Sequence, residues 1–114
     1  MKHTVKSSAE VQELFASGKR IKTRGFIIIY SSNKGRDLDG RAAFIAGKKL
    51  GSAPKRSYAK RVMRHIALEL GNNWPGYDVI FVAKPAIFTL QFAEMLDECE
   101  RALLKAGILD IEIA

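Results

Sequence analysis

The sequence predicts an α+β domain, a central sheet of about four strands with helices packed against it. Three observations carry that expectation. The runs 26–30 and 79–83 are apolar on both faces and rich in β-branched and aromatic residues, as strands inside a covered sheet are. Three other stretches place apolar residues at helical spacing between recognisable start and stop residues. The 114 residues, 47% hydrophobic and 27% charged, suffice for one core but not two, so residues 1–114 read as a single domain.

In chain order, Ser7-Ser8-Ala9-Glu10 reads as a capping box. Val11, Leu14 and Phe15 follow at i, i+3 and i+4, and Gly18 closes this short amphipathic helix. The basic connector 19–24 has room for a short edge strand, and the strand 26–30 follows it. Asn33, Gly35, Asp37, Asp39 and Gly40 are turn residues, which predicts a hairpin to a partner strand over 41–46. Pro54 suits the first turn of a long helix reaching about Leu70, where Gly71-Asn72-Asn73 ends it. Trp74-Pro75-Gly76 is a turn into the strand 77–83, which stops before Pro85. Thr89 is the expected N-cap of a last helix with Phe92, Leu96, Cys99 and Leu103 on one face and Gly107 as its stop. The strand–helix–strand unit 41–83 is expected to join parallel neighbours, for which right-handed crossovers are the rule.

The apolar runs are far too short to span a membrane, and no apolar signal segment is expected after Met1. A single cysteine, Cys99, excludes an internal disulfide and fits a reducing compartment, so the expected setting is cytoplasmic. Its place in an apolar stripe makes it a core residue rather than a nucleophile.

Net charge is +7 with a pI near 9.8, and its distribution is uneven. Residues 41–68 hold eight Lys/Arg and no Asp/Glu, whereas residues 69–114 hold three against eight. Such polarity points to a polyanionic partner. At about 100° per residue, Tyr58, Ala59, Val62, Met63, Ile66 and Leu70 gather on one arc of the central helix. Arg56, Lys60 and Arg64 fall at i, i+4 and i+8 on another, extended by Arg61 and His65. A merely solvated helix face would intersperse glutamates, because like charges at that spacing cost a few tenths of a kcal/mol each. A cationic ribbon on a rigid rod suits phosphate backbones, which it contacts without reading sequence.

The stretch Lys48-Lys49-Leu50-Gly51-Ser52-Ala53-Pro54-Lys55-Arg56 and the Lys60, Arg61 and Arg64 that follow resemble the protein subunit of bacterial ribonuclease P. That family carries a lysine-rich turn, a glycine, a small residue and alanine, an Arg-Asn-Arg stretch, Lys-Arg, and an arginine one turn on. The resemblance covers nearly the whole chain, from Phe15 in the first helix to Lys84-Pro85 after the last strand. It departs at Ser57 and Tyr58, which replace the Asn and second Arg, and at His65.

The resemblance implies a single RNA-binding domain of the ribosomal protein S5 domain 2-like α/β-sandwich type, with an unusual left-handed βαβ crossover. It implies a protein cofactor of a catalytic RNA whose holoenzyme removes the 5′ leader of precursor transfer RNA, with Mg2+ bound mainly by the RNA. Lys48, Lys49, Lys55, Arg56, Lys60, Arg61 and Arg64 are then the candidate contacts to the catalytic RNA. A cleft between the first helix and the sheet, with Val11, Phe15, Ile27 and Ile29, is the candidate site of the single-stranded leader, where an aromatic flanked by cations stacks unpaired bases. Alternation alone equally allows Phe26, Ile28 and Tyr30 as the cleft floor.

The same residues allow two other readings: a ribosomal or RNA-chaperone module using the same helix, and a stand-alone nuclease. A protein nuclease needs clustered carboxylates or paired histidines. His3 lies in a tail, His65 stands among cations, and Asp37 and Asp39 fit a turn, so neither a catalytic nor a metal site is expected in the protein. Tyr58, by its wheel position, is expected to pack inward.

Overall fold

The two apolar runs become the inner strands of one sheet. The structure is a computed structural model describing residues 8–32, 40–71, 74 and 76–109. Its elements run α1 (Ser8–Ser17), β1 (Lys19–Lys22), β2 (Phe26–Ser32), β3 (Arg41–Ile45), α2 (Ala53–Glu69), β4 (Tyr77–Ala83) and α3 (Phe92–Ala106). Short 3-10 turns at Lys48–Leu50 and Pro85–Phe88 precede α2 and α3. The sheet order is β1-β2-β4-β3, with β2 antiparallel to β1 and β4, and β3 parallel to β4. This is the four-stranded α+β arrangement the sequence predicts.

The pairing of β2 with β3 across a hairpin does not hold, because β4 lies between them. Five of the seven residues of β4 are buried. A strand covered on both faces needs a neighbour on each side to satisfy its backbone amides and carbonyls, so it takes the interior position. The parallel adjacency of β3 and β4 through α2 is as expected, and β1 is the expected edge strand. Ser7 of the capping box, residues 33–39 of the expected turn, and Asn72, Asn73 and Pro75 lie outside the described residues.

Strand register sorts the side chains onto two faces. Phe26 and Ile28 of β2, Phe44 of β3 and Val79 and Phe81 of β4 face α2 and α3. Ala59, Met63 and Ile66 of α2 and Met95, Cys99 and Leu103 of α3 close this main core. Phe81 is its centre, with the rings of Phe26, Phe44 and Trp74 at 5.6, 5.3 and 6.1 Å. On the opposite face, among the described residues, only α1 packs, and Leu14 seals Ile29 and Ile80. The stop of α1 is pressed onto the sheet: the Gly18 N–H donates to the Leu14 carbonyl at 2.8 Å, and a Cβ at Gly18 would stand 2.8 Å from Ile29 Cγ2.

Two details of α3 differ from expectation. Its N-cap is Gln91, not Thr89. Gln91 forms a capping box with Glu94, whose Oε1 accepts the Gln91 N–H at 3.1 Å. Pro85 starts a 3-10 turn that Thr89 closes, its Oγ1–H donating to the Ala86 carbonyl at 3.2 Å, so the helix begins only beyond it. The buried stripe is Met95, Cys99 and Leu103, with Leu96 half-buried; Phe92, in the first turn, stays 39% exposed with its ring edge-on to His65. Gly107 ends the helix at φ 81°, as expected.

Cys99 is fully enclosed, and burial, reinforced by Glu98 and Glu100, pushes its thiol from 9.0 up to about 12. An unfolded chain releases this proton near the ordinary value while the folded chain holds it. The thiol therefore favours the fold below about pH 9 and loses that contribution as pH rises toward about 12. In native protein at pH 8, Cys99 should resist a thiol reagent and react fully in denaturant, and Cys99→Ala should flatten the fall in stability above pH 9.

Candidate nucleic-acid interface

Helix α2 begins where the chain reverses at Gly51, φ 129°, a backbone conformation that favours glycine. The Lys48–Leu50 turn before it exposes Lys48 and Lys49. The first turn of α2 holds no acidic residue, and the Ser52 side chain makes no cap hydrogen bond. Among the described residues no side chain caps the first turn of α2, whose positive dipole end lies beside Lys48, Lys49 and Lys55.

Along α2, Ala59, Met63, Ile66 and Ala67 are buried and Lys60, Arg61 and Arg64 are exposed. Packing spends the apolar arc on the sheet and leaves the cationic arc to solvent. Among the described residues the ion pairs lie elsewhere, at Arg24–Glu98, Arg41–Asp78 and Arg101–Asp97, so the ribbon carries its charge unopposed.

Its edges are anchored on rings. The Arg64 guanidinium sits 5.4 Å from the Phe44 centroid, over β3, and Lys55 Nζ sits 5.7 Å from Phe88. Arg56 turns further in than its wheel position suggests: it is half-buried, and its Nε–H has no acceptor among the described residues. Tyr58 does not pack inward. At the border of the buried arc it stacks on Phe88 of the 3-10 turn, centroids 6.1 Å apart, and stays 46% exposed.

The second surface lies on the α1 face of the sheet. Cross-strand pairing builds two rows there: Ile29–Ile80–Ala43, and Ile27–Val82–Ile45. Ile29 and Ile80 are fully covered by Leu14, whereas Ile27, Val82, Ala43 and Ile45 are half-buried beside Val11 and Phe15. One helix is too narrow to roof three strands, and the uncovered remainder is an apolar cleft. Register brings Arg20 opposite Ile29 and Lys22 opposite Ile27, so cations end both rows at the β1 edge. Arg20 reaches back to α1, its Nη2–H donating to the Phe15 carbonyl at 2.8 Å with its guanidinium 5.7 Å from the Phe15 ring.

The family model described as Ribonuclease P matches residues 1–107. The chain belongs to the ribonuclease P protein family. It is 32% identical over 108 residues to the ribonuclease P protein component of Streptococcus pyogenes serotype M49, a match covering 95% of this chain and 89% of that one. In three dimensions it resembles the RNase P protein of Staphylococcus aureus (TM-score 0.80, 23% identity, 96% and 100% of the two chains). It also resembles that of Thermotoga maritima (TM-score 0.71, 19% identity, 98% and 100%). At these identities the solved structures carry the fold, and the streptococcal relative and the family match carry the membership. The role of a ribonuclease P protein cofactor, in transfer-RNA processing, follows from membership of the ribonuclease P family.

The predicted residues therefore form two groups on opposite faces of the sheet. Lys48, Lys49, Lys55, Arg56, Lys60, Arg61 and Arg64 run along α2 and its entry turn, and Val11, Phe15, Ile27 and Ile29 meet under α1. The choice the alternation left open falls to Ile27 and Ile29, because Phe26 and Ile28 are consumed by the main core. Sequence reasoning missed Arg20, Lys22, Ala43, Ile45 and Val82 as cleft residues, since their side depends on strand order. Among the described residues no three His, Cys, Asp or Glu side chains stand together to hold a metal ion, and no helix is long and apolar enough to cross a membrane.

Arg61→Ala should change stability by less than about 0.5 kcal/mol, being exposed and without an ion pair among the described residues. Arg64→Ala should cost up to about 1 kcal/mol through loss of its contact with Phe44. Urea unfolding of the two variants checks the difference.

Proposed function

We propose that this protein works as the cytoplasmic RNA-binding cofactor of a catalytic RNA, which itself carries out leader removal from precursor transfer RNA. Mg2+ is assigned to that RNA. The observation that carries the reading is the pairing of an unopposed cationic helix on one sheet face with an apolar, cation-edged cleft on the other. The α2 ribbon and the Lys48–Lys49 turn hold the catalytic RNA through its phosphates, releasing condensed counterions. The cleft takes the unpaired leader by stacking on Phe15, with Arg20 and Lys22 against its backbone and Ile27, Ile29 and Val82 as floor.

The division of labour has a physical basis. Two RNAs repel one another, and at low Mg2+ monovalent salt screens that repulsion only beyond about 8–10 Å. A rigid protein with cations directed to both lowers the repulsion without entering the chemistry. Among the described residues the cleft floor is apolar, which suits a substrate whose leader varies in sequence.

One reconstitution tests this. Protein, catalytic RNA and precursor transfer RNA are mixed at low Mg2+, and leader removal is followed. Strong stimulation over the RNA alone is expected. No stimulation would refute the reading, and cleavage without the RNA would place the chemistry in the protein. Arg61→Ala should lower the salt slope of RNA binding by about 0.7–0.9, one phosphate's worth; an unchanged slope would mean this face does not meet phosphates.

A further inference from the structure

Strand β1 and helix α3 enclose an open groove of about 600 Å3 on the sheet face that α2 and α3 share, at the β1 edge and so at the opposite edge from β3, where Arg64 of the α2 ribbon lies over Phe44. Arg20 and Lys22 of β1 line it on one side and Arg101 and Lys105 of α3 on the other, with Tyr30 between them. Among the described residues Glu98 is the one acid in the lining, and it is engaged: it accepts the Arg24 backbone N–H and the Arg24 Nε–H, each at 3.3 Å. Arg101 meets Asp97 at 2.9 Å, but the two side chains are 71% and 62% exposed, and a solvated pair of this kind yields readily to a phosphate.

Arg20 and Lys22 belong to both surfaces. They end the two apolar rows of the cleft, and they form one wall of the groove. A polyanionic strand lying across the cleft floor leaves it at one of two sheet edges. At the β3 edge the rows end in Ala43 and Ile45, Arg41 is already bound to Asp78 at 3.0 and 3.3 Å, and Arg64, over Phe44, belongs to the ribbon assigned above to the catalytic RNA. At the β1 edge the strand meets Lys22 and Arg20 and then, around the edge, Arg101 and Lys105. Charge complementarity selects the second exit.

We propose that the β1–α3 groove is a second single-stranded RNA site, which takes up the continuation of the 5′ leader as it leaves the cleft around the β1 edge. The proposal rests on the cleft reading above. Its consequence is affinity that grows with leader length, supplied by phosphate contacts and with little dependence on sequence.

The experiment uses the reconstituted holoenzyme and measures binding of leaderless transfer RNA and of precursors with leaders of about 4 and about 16 nucleotides, the span of single-strand sites. The longer leader should bind several-fold tighter than the shorter, by more than with the catalytic RNA alone. The double variant Arg101→Ala, Lys105→Ala should lose most of that gap and lower the long-leader salt slope by about 1.4, two single-strand phosphates' worth. A photoreactive nucleotide near the 5′ end of the long leader should cross-link to α3 in the wild-type protein, a readout independent of how the variant folds. Equal affinity for the two leaders, a gap that persists in the variant, or no cross-link to α3 would overturn the groove while leaving the cleft intact. A short-leader precursor that binds no better than leaderless transfer RNA would remove the cleft reading, and the groove with it.

Discussion

The centre of strand β4 must be covered on both faces, and the architecture follows from that constraint. Val79 and Phe81 need cover on one side and Ile80 on the other, and all three are fully buried. β2 and β3 complete its two ladders, α2 and α3 close over the Phe81 side, and Leu14 of α1 closes over Ile80. The cover is unequal. Two helices seal one face into the main core, while a single ten-residue helix leaves the other partly open. The cleft is what remains when an apolar sheet has less helix than it has width.

The electrostatics are arranged around the same sheet. The cations of α2 repel one another along the helix at a cost of a few tenths of a kcal/mol per pair. Burial of Ala59, Met63, Ile66 and Ala67 offsets that cost, at roughly 25 cal/mol per Å2 of apolar surface removed from water. Packing thus lets the helix keep a charge pattern that it would not favour in isolation. The acids of α3 do not neutralise α2; Glu98 answers Arg24 and Asp97 answers Arg101 on their own side of the molecule.

Each sheet edge joins two surfaces. In β3, Phe44 lies beneath the Arg64 guanidinium while the next residue, Ile45, is part of the cleft floor. In β1, Arg20 touches Phe15 on the α1 face and borders the groove beside α3. Because successive strand residues point to opposite faces, a short edge strand links surfaces that helices alone would keep apart.

The cationic ribbon was legible in the sequence because it depends only on the 3.6-residue period of one helix, and Lys60, Arg61 and Arg64 stand where that period puts them. The inner strands were legible for a similar local reason, since a run apolar on both faces has nowhere to go but a covered sheet. At the borders of helical arcs the period was a poorer guide: Tyr58 and Phe92 stay partly exposed because the Pro85–Phe88 turn and His65, not the sheet, are what they meet. Strand order was out of reach of local pattern. Only the tertiary structure inserted β4 between β2 and β3, chose Ile27 and Ile29 as the cleft face, and brought Arg20 and Lys22 to the ends of its rows. A side chain's period is set by its own backbone, but its neighbours across a sheet are set by which strands most need both sides covered.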